Sequence, residues 1–154
     1  HDRAVARAAA GRAEEAKADL ARAQELNLKA KRWTELGSNR YVLASILAQE
    51  GKTAEALASA LAALEADKKA ESARNIPLDL AAAASLSSRL GRDAEAWGYW
   101  RRSFESGMAT DDEASVRKAL AALVDLAGRL GRTSDKERYA KLLGQVGEVD
   151  KGSK

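Results

Sequence analysis

Four glycines, Gly11, Gly51, Gly91 and Gly131, stand at intervals of 40 residues along this chain of 154. They open the segments Gly11-Arg12-Ala13-Glu14-Glu15-Ala16, Gly51-Lys52-Thr53-Ala54-Glu55-Ala56, Gly91-Arg92-Asp93-Ala94-Glu95-Ala96 and Gly131-Arg132-Thr133-Ser134-Asp135-Lys136. A basic residue follows each glycine and an acidic one stands at the fourth position after it, while Arg-Leu-Gly-Arg recurs outright at 89–92 and 129–132. A period of about 20 to 50 residues with helical flanks means stacked helical hairpins, each unable to bury its apolar face alone. This constraint precedes any residue-level reading.

The motif describes a tight turn between antiparallel helices. A helix that ends in a left-handed residue favours glycine, which has no Cβ to clash, so Gly51, Gly91 and Gly131 are expected to end one helix. Thr53, Asp93 and Thr133 are then expected to start the next and to accept hydrogen bonds from its free N–H groups. The acidic residue falls in the first turn, at the positive end of the helix dipole. In the first repeat the apolar positions Ala16, Leu20, Ala23, Ala30, Trp33 and Leu36 predict one helix from Arg12 to Leu36, roughly 37 Å long at 1.5 Å per residue. Gly37-Ser38-Asn39 reads as its stop and a new N-cap, and Pro77 breaks the chain at the equivalent place one repeat later. In the third repeat Ser106-Gly107-Met108-Ala109 predicts an early helix end, and Thr110-Asp111-Asp112-Glu113 a capping box for a longer helix.

Composition agrees with an all-α chain. Apolar residues are 45% of the total but aromatics only 5%, so alanine supplies much of the apolar surface and favours close-packed helices. One proline and few β-branched runs leave no strand signal. The 26 basic and 23 acidic side chains are interspersed and leave a net charge of +3, a solvated surface rather than a nucleic-acid footprint. With no cysteine there is no disulfide, thiolate metal site or cysteine nucleophile. No apolar run reaches the roughly 18 residues of a membrane span, so no membrane insertion is expected. The chain begins at His1 rather than methionine, as a processed or excised piece of a longer protein would. The compartment, cytoplasmic or periplasmic, stays open.

The residues that fit this pattern resemble tetratricopeptide repeats (TPR), whose helix pairs carry a Leu-Gly or Leu-Ala step and Gly-x-x-x-Glu-Ala at the turn. Leu43-Ala44, Leu47, Gly51, Glu55-Ala56 and Ala63-Leu64 match in one repeat. Ala83-Ala84, Gly91, Glu95-Ala96, Trp100 and Ser103-Phe104 match in the next. The period of 40 is similar to the longer repeats of bacterial transcriptional activators and kinesin light chains. The resemblance implies an all-α, right-handed solenoid of three to four stacked antiparallel helix pairs. Residues 1–146 form the repeat domain, with only His1 to Ala10 as a shortened first helix. Lys136, Glu137, Arg138 and Lys141 make the last helix polar, as expected of a terminal cap over Thr133–Val146. Residues 147–154 are expected to be a flexible tail.

The search for chemistry finds little, and a non-catalytic protein is expected, with neither metal nor cofactor. The lone histidine is His1, at the chain end. Asp111, Asp112 and Glu113 open a helix, where the dipole explains three acids better than a hard cation does. Trp97, Trp100 and Phe104 lie three and four apart on one helix face and are assigned to packing on the preceding helix, whereas Tyr99 points elsewhere, exposed or toward a neighbouring repeat.

The resemblance implies that the first helix of each pair lines a concave groove. Counting back from the turn glycines places Tyr41, Ser45 and Gln49, then Ala81, Ser85, Ser88 and Arg89, then Lys118, Asp125 and Arg129 on that face. The expected partner is a protein or peptide, with an acidic or C-terminal segment favoured by Arg89, Lys118 and Arg129. The alternative for the two arginines is that they complement the negative ends of their own helices. The lysine and asparagine clamp used by some members for acidic chaperone tails is not reproduced. The competing function is a sensory or regulatory module binding a small effector in an enclosed apolar pocket. Self-association is a further possibility, since a shortened first helix leaves an apolar edge.

Overall fold

The computed structural model describes residues 12–149 and consists of seven helices. These are α1 (Ala13–Lys29), α2 (Trp33–Gln49), α3 (Thr53–Lys69), α4 (Ile76–Arg89), α5 (Asp93–Ala109), α6 (Glu113–Arg129) and α7 (Thr133–Val149). No strand occurs among the described residues. Each helix packs on its neighbours in the chain, α2 on α3, α4 on α5 and α6 on α7 forming the pairs. The result is an all-helical solenoid of stacked hairpins.

The turns reveal a finer period than the glycines do. Backbone φ is positive at Lys31 (53°), Gly51 (78°), Glu71 (52°), Gly91 (73°), Asp111 (51°) and Gly131 (67°), one such residue every 20 positions. Each is the left-handed C′ residue of a Schellman turn. At Gly51 its own N–H donates to the Ala48 carbonyl, and the Lys52 N–H donates to the Leu47 carbonyl at 2.9 Å. At Glu71 the corresponding donors are Glu71 to Lys68 and Ser72 to Asp67. Glycines therefore mark the turns within pairs, and Lys31, Glu71 and Asp111 mark the turns between pairs.

This geometry corrects several expectations. The helix expected over Arg12–Leu36 is two, α1 and α2, separated at Lys31. Gly37-Ser38-Asn39 is neither a stop nor a cap but lies inside α2, with Gly37 and Asn39 buried. Pro77 sits in the first turn of α4, where its missing N–H costs nothing. The helix ending at Ala109 does not end early, since α1, α3 and α5 close at Lys29, Lys69 and Ala109, all in register. The cap of α6 is Asp112, which accepts from the Ser115 N–H at 3.1 Å, whereas Thr110 closes α5 by donating to the Ser106 carbonyl. Thr53 and Asp93 begin their helices but do not cap them, and the Thr53 hydroxyl donates back to the Gly51 carbonyl. Helix α7 runs on to Val149, past the expected start of the tail at 147, while residues 150–154 lie outside the described residues. So do residues 1–11, on which the expected shortened first helix and its apolar edge rest.

Small residues let the helices approach. Ala16, Ala56 and Ala96, five positions after the turn glycines, are fully buried, whereas Lys136 at the same place in α7 is exposed. Three apolar clusters follow along the stack. Leu43 packs against both the first and the second, and Tyr99 against both the second and the third. Tyr99 thus reaches the neighbouring repeat. Trp97 and Trp100 are buried, and the ring partner of both Trp97 and Phe104 is Tyr139 of α7, at 5.7 and 6.2 Å in edge-on geometry. The aromatic stripe on α5 accordingly bridges forward to the terminal cap as well as packing back on Ala81 and Ala84 of α4.

Candidate functional site

The first helices of the pairs, α2, α4 and α6, are tied side by side by a repeated arginine contact. Arg89 donates from Nη2 to the Ala48 carbonyl at 3.2 Å, and Arg129 donates from Nη2 to the Ser88 hydroxyl at 3.4 Å. Residues 89 and 129, like 48 and 88, are one 40-residue repeat apart, so the same position reaches the same neighbour twice. Arg89 therefore serves the carbonyl end of α2 rather than that of its own helix, where a guanidinium is favoured by the dipole.

Between α2 and α4 lies a groove of about 190 Å³ lined by Tyr41, Ala44, Ser45, Ala48, Ala82, Ser85, Leu86 and Arg89. The hydroxyls of Ser45 and Ser85 donate to the Tyr41 and Ala81 carbonyls one turn earlier in their own helices. Their oxygens keep lone pairs to accept from a ligand. Tyr41 is 37% exposed at the groove edge. Arg89 is exposed, and no carboxylate among the described residues lies within ion-pair distance of it, which leaves its other guanidinium donors for a ligand.

The other residues expected on this face are distributed differently. Arg129 is held between Asp93 and Asp125, each at 3.3 Å, and also meets Ser88. Ser88, Asp125 and Arg129 thus belong to a separate network joining α4, α5 and α6. Lys118 lies beside Glu113, Ala114, Arg117 and Ala121 on an exposed strip of α6, and Gln49 is exposed at the end of α2. Ala81 is buried against the aromatic core and lines no groove. Of the acids opening α6, Asp112 is occupied as the cap and Glu113 pairs with Arg117.

A second site, unmarked by any motif, adjoins the groove at Tyr41. Ser38, Tyr41, Asp67, Asn75, Leu78 and Asp79 enclose a cavity of about 90 Å³. Asp67, from the last turn of α3, and Asp79, from the first turn of α4, are each only 1% exposed. Asn75 donates to Asp67 Oδ1 at 3.2 Å, and Asp79 lies beside Asp67. Asp79 Oδ2 has no hydrogen-bond donor among the described residues. Burial, and then the neighbouring Asp67, push the Asp79 carboxyl up to about 8. Gly37 makes room for the pair, since a β-carbon there would stand 2.6 Å from Asp67 Oδ2. Periodicity could not single these acids out, because Asp67 lies in the charged end of α3 beside Lys68 and Lys69, and Asp79 in the first turn of α4, where the dipole already favours an acid.

Near the C-terminal end, Gly107, Met108, Val116 and Val146 line an apolar cleft of about 280 Å³ bordered by Asp111 and Glu113. It is open to solvent rather than enclosed, with Met108 more than half exposed. No helix among the described residues is long and apolar enough to cross a membrane.

No protein-family model matches the chain, and no curated protein is similar enough in sequence to be matched to it.

Proposed function

We infer that the protein is a non-catalytic scaffold of the tetratricopeptide kind that holds an extended peptide segment of another protein in the groove between α2 and α4. The observation behind this reading is the groove itself. Tyr41, Ser45, Ser85 and Arg89, four residues expected on a peptide-binding face, line it together and offer hydroxyl acceptors, an aromatic edge and a guanidinium that pairs with no carboxylate among the described residues. Such a lining offers hydrogen bonds along a backbone and a fork for one carboxylate. The function rests on analogy with a fold that supports many activities, so the groove must be tested directly.

Selection of peptides from a displayed random library on the wild-type protein provides the test, with counter-selection on a Tyr41→Ala/Arg89→Glu variant of equal helicity. Peptides that bind the wild type and lose at least about ten-fold in affinity on the variant, roughly 1.4 kcal/mol, support the reading. Peptides that bind both proteins equally place recognition elsewhere. The effector-binding alternative calls for an enclosed apolar pocket, and the cleft at Met108 is open.

A further inference from the structure

We propose that the cavity closed by Asp67 and Asp79 is a recognition pocket for a primary ammonium group, a lysine side chain or chain N-terminus of the bound segment, and that it sets the direction and register of that segment in the groove. The proposal rests on the peptide-binding reading above and adds to it the chemistry of one anchor.

The repeat supplies an internal control. Positions 67 and 79 correspond, one period back, to Asn27 and Asn39, and one period on, to Gly107 and Ala119. The same junction between successive helix pairs is thus built with two amides, with two acids, and with two small residues. The solenoid does not need carboxylates there, and burying them side by side opposes folding. A ligand that neutralises them accounts for their presence.

The pocket suits an ammonium. A cavity of about 90 Å³ holds a compact cation with three donors, and Asp79, which lines it, has a buried Oδ2 that lacks a donor among the described residues. Leu78, 43% exposed, and Tyr41 form an apolar and aromatic mouth along which a methylene stem can lie. An ammonium that enters beside the pair while it keeps its one proton offsets the single negative charge, so the pocket carries no net charge when occupied.

Tyr41 lines both the pocket and the groove, so the two adjoin across its side chain. Asp79 and Arg89 lie ten residues apart on α4, about 15 Å along its axis. An extended chain covers that span in about four to five residues. The occupant favoured by the charges is therefore a segment with an ammonium at the Asp67–Asp79 end and a carboxylate about four residues away at Arg89.

The test uses two probes on the full chain. The first is Nα-acetyl-lysine N-methylamide, followed by amide chemical shifts in wild type, in Asp67→Asn/Asp79→Asn and in Asp79→Asn alone. Both variants are expected to fold, because Asn27 and Asn39 occupy the same places one repeat earlier. Shifts confined to the surroundings of Asp67, Asn75 and Asp79, absent in the double variant and absent with the norleucine analogue, are expected. No shift there at about 50 mM probe, or equal shifts with norleucine, overturns the pocket.

The second probe is the peptide acetyl-Lys-Ala-Ser-Ala-Ala with a free C-terminal carboxylate, compared with its norleucine and C-terminal amide forms. Norleucine is expected to weaken binding about ten-fold in wild type and not at all in the double variant. Dependence on the carboxylate and Arg89 without dependence on lysine sinks the ammonium pocket and leaves the groove standing. Dependence on lysine and the two acids, without dependence on Arg89 or the carboxylate, leaves the pocket standing and removes the groove.

Discussion

Asp79 meets Asp67 across the junction of α3 and α4 with both carboxyl groups almost wholly withdrawn from water. The group titrates against Asp67 from α3 and beside the phenol of Tyr41 from α2 and the amide of Asn75. Because burial raises the Asp79 carboxyl from 3.8 to about 8, the folded chain holds this proton more tightly than the unfolded one. The resulting stabilisation is complete below about pH 4 and is lost as pH rises through about 8. Urea unfolding at pH 5 and pH 9 should show wild type losing stability on the order of 1–3 kcal/mol more than Asp79→Asn over that interval. Equal losses in the two proteins would mean that Asp79 does not titrate in this window.

The turns between pairs should be improvable. Lys31, Glu71 and Asp111 hold left-handed φ values near 50° without being glycine, at a cost of roughly 1 kcal/mol each. Glu71→Gly is expected to raise unfolding free energy by up to about 1 kcal/mol. Gly51→Ala is expected to lower it by about as much, through backbone strain alone, since nothing lies within 4 Å of a β-carbon built there. Thermal unfolding of the two variants gives opposite signs if the turns are as described.

Helix α7 is anchored to α5 by aromatic contact. Tyr139 is buried and meets both Trp97 and Phe104 edge-on. Trp97→Ala is expected to cost about 3–5 kcal/mol, and a double-mutant cycle with Tyr139→Ala should return a coupling of about 0.5–1.5 kcal/mol. Additive losses would contradict a direct contact.

Sequence reading reached the all-helical repeat because the turn glycines and the alanines five positions later are dictated by backbone handedness and close approach. It missed the half-period because Lys31, Glu71 and Asp111 occupy positive-φ positions that no residue type announces. The same gap fused α1 with α2, since the apolar spacing of Ala30, Trp33 and Leu36 continues across a turn of three residues. On the candidate face, Tyr41, Ser45, Ser85 and Arg89 were legible from the count back along the helices once the tetratricopeptide resemblance had said which helix lines a groove. Lys118 and Gln49 share that register but face solvent, and Arg129 is claimed by Asp93 from a different helix. The acid pair was hidden for a further reason: Asp67 sits beside Lys68 and Lys69, where a charge run reads as a solvated helix end.

The groove between α2 and α4 is the central claim, and the absence of cysteine from the chain gives a clean way to block it. Ser85→Cys places one thiol in the groove and Ala140→Cys places one on the exposed surface of the terminal cap. Binding of library-selected peptides would be measured before and after each thiol is coupled to a bulky maleimide. The account predicts that modification at 85 abolishes binding while modification at 140 leaves it unchanged. Binding that survives a blocked groove would contradict it.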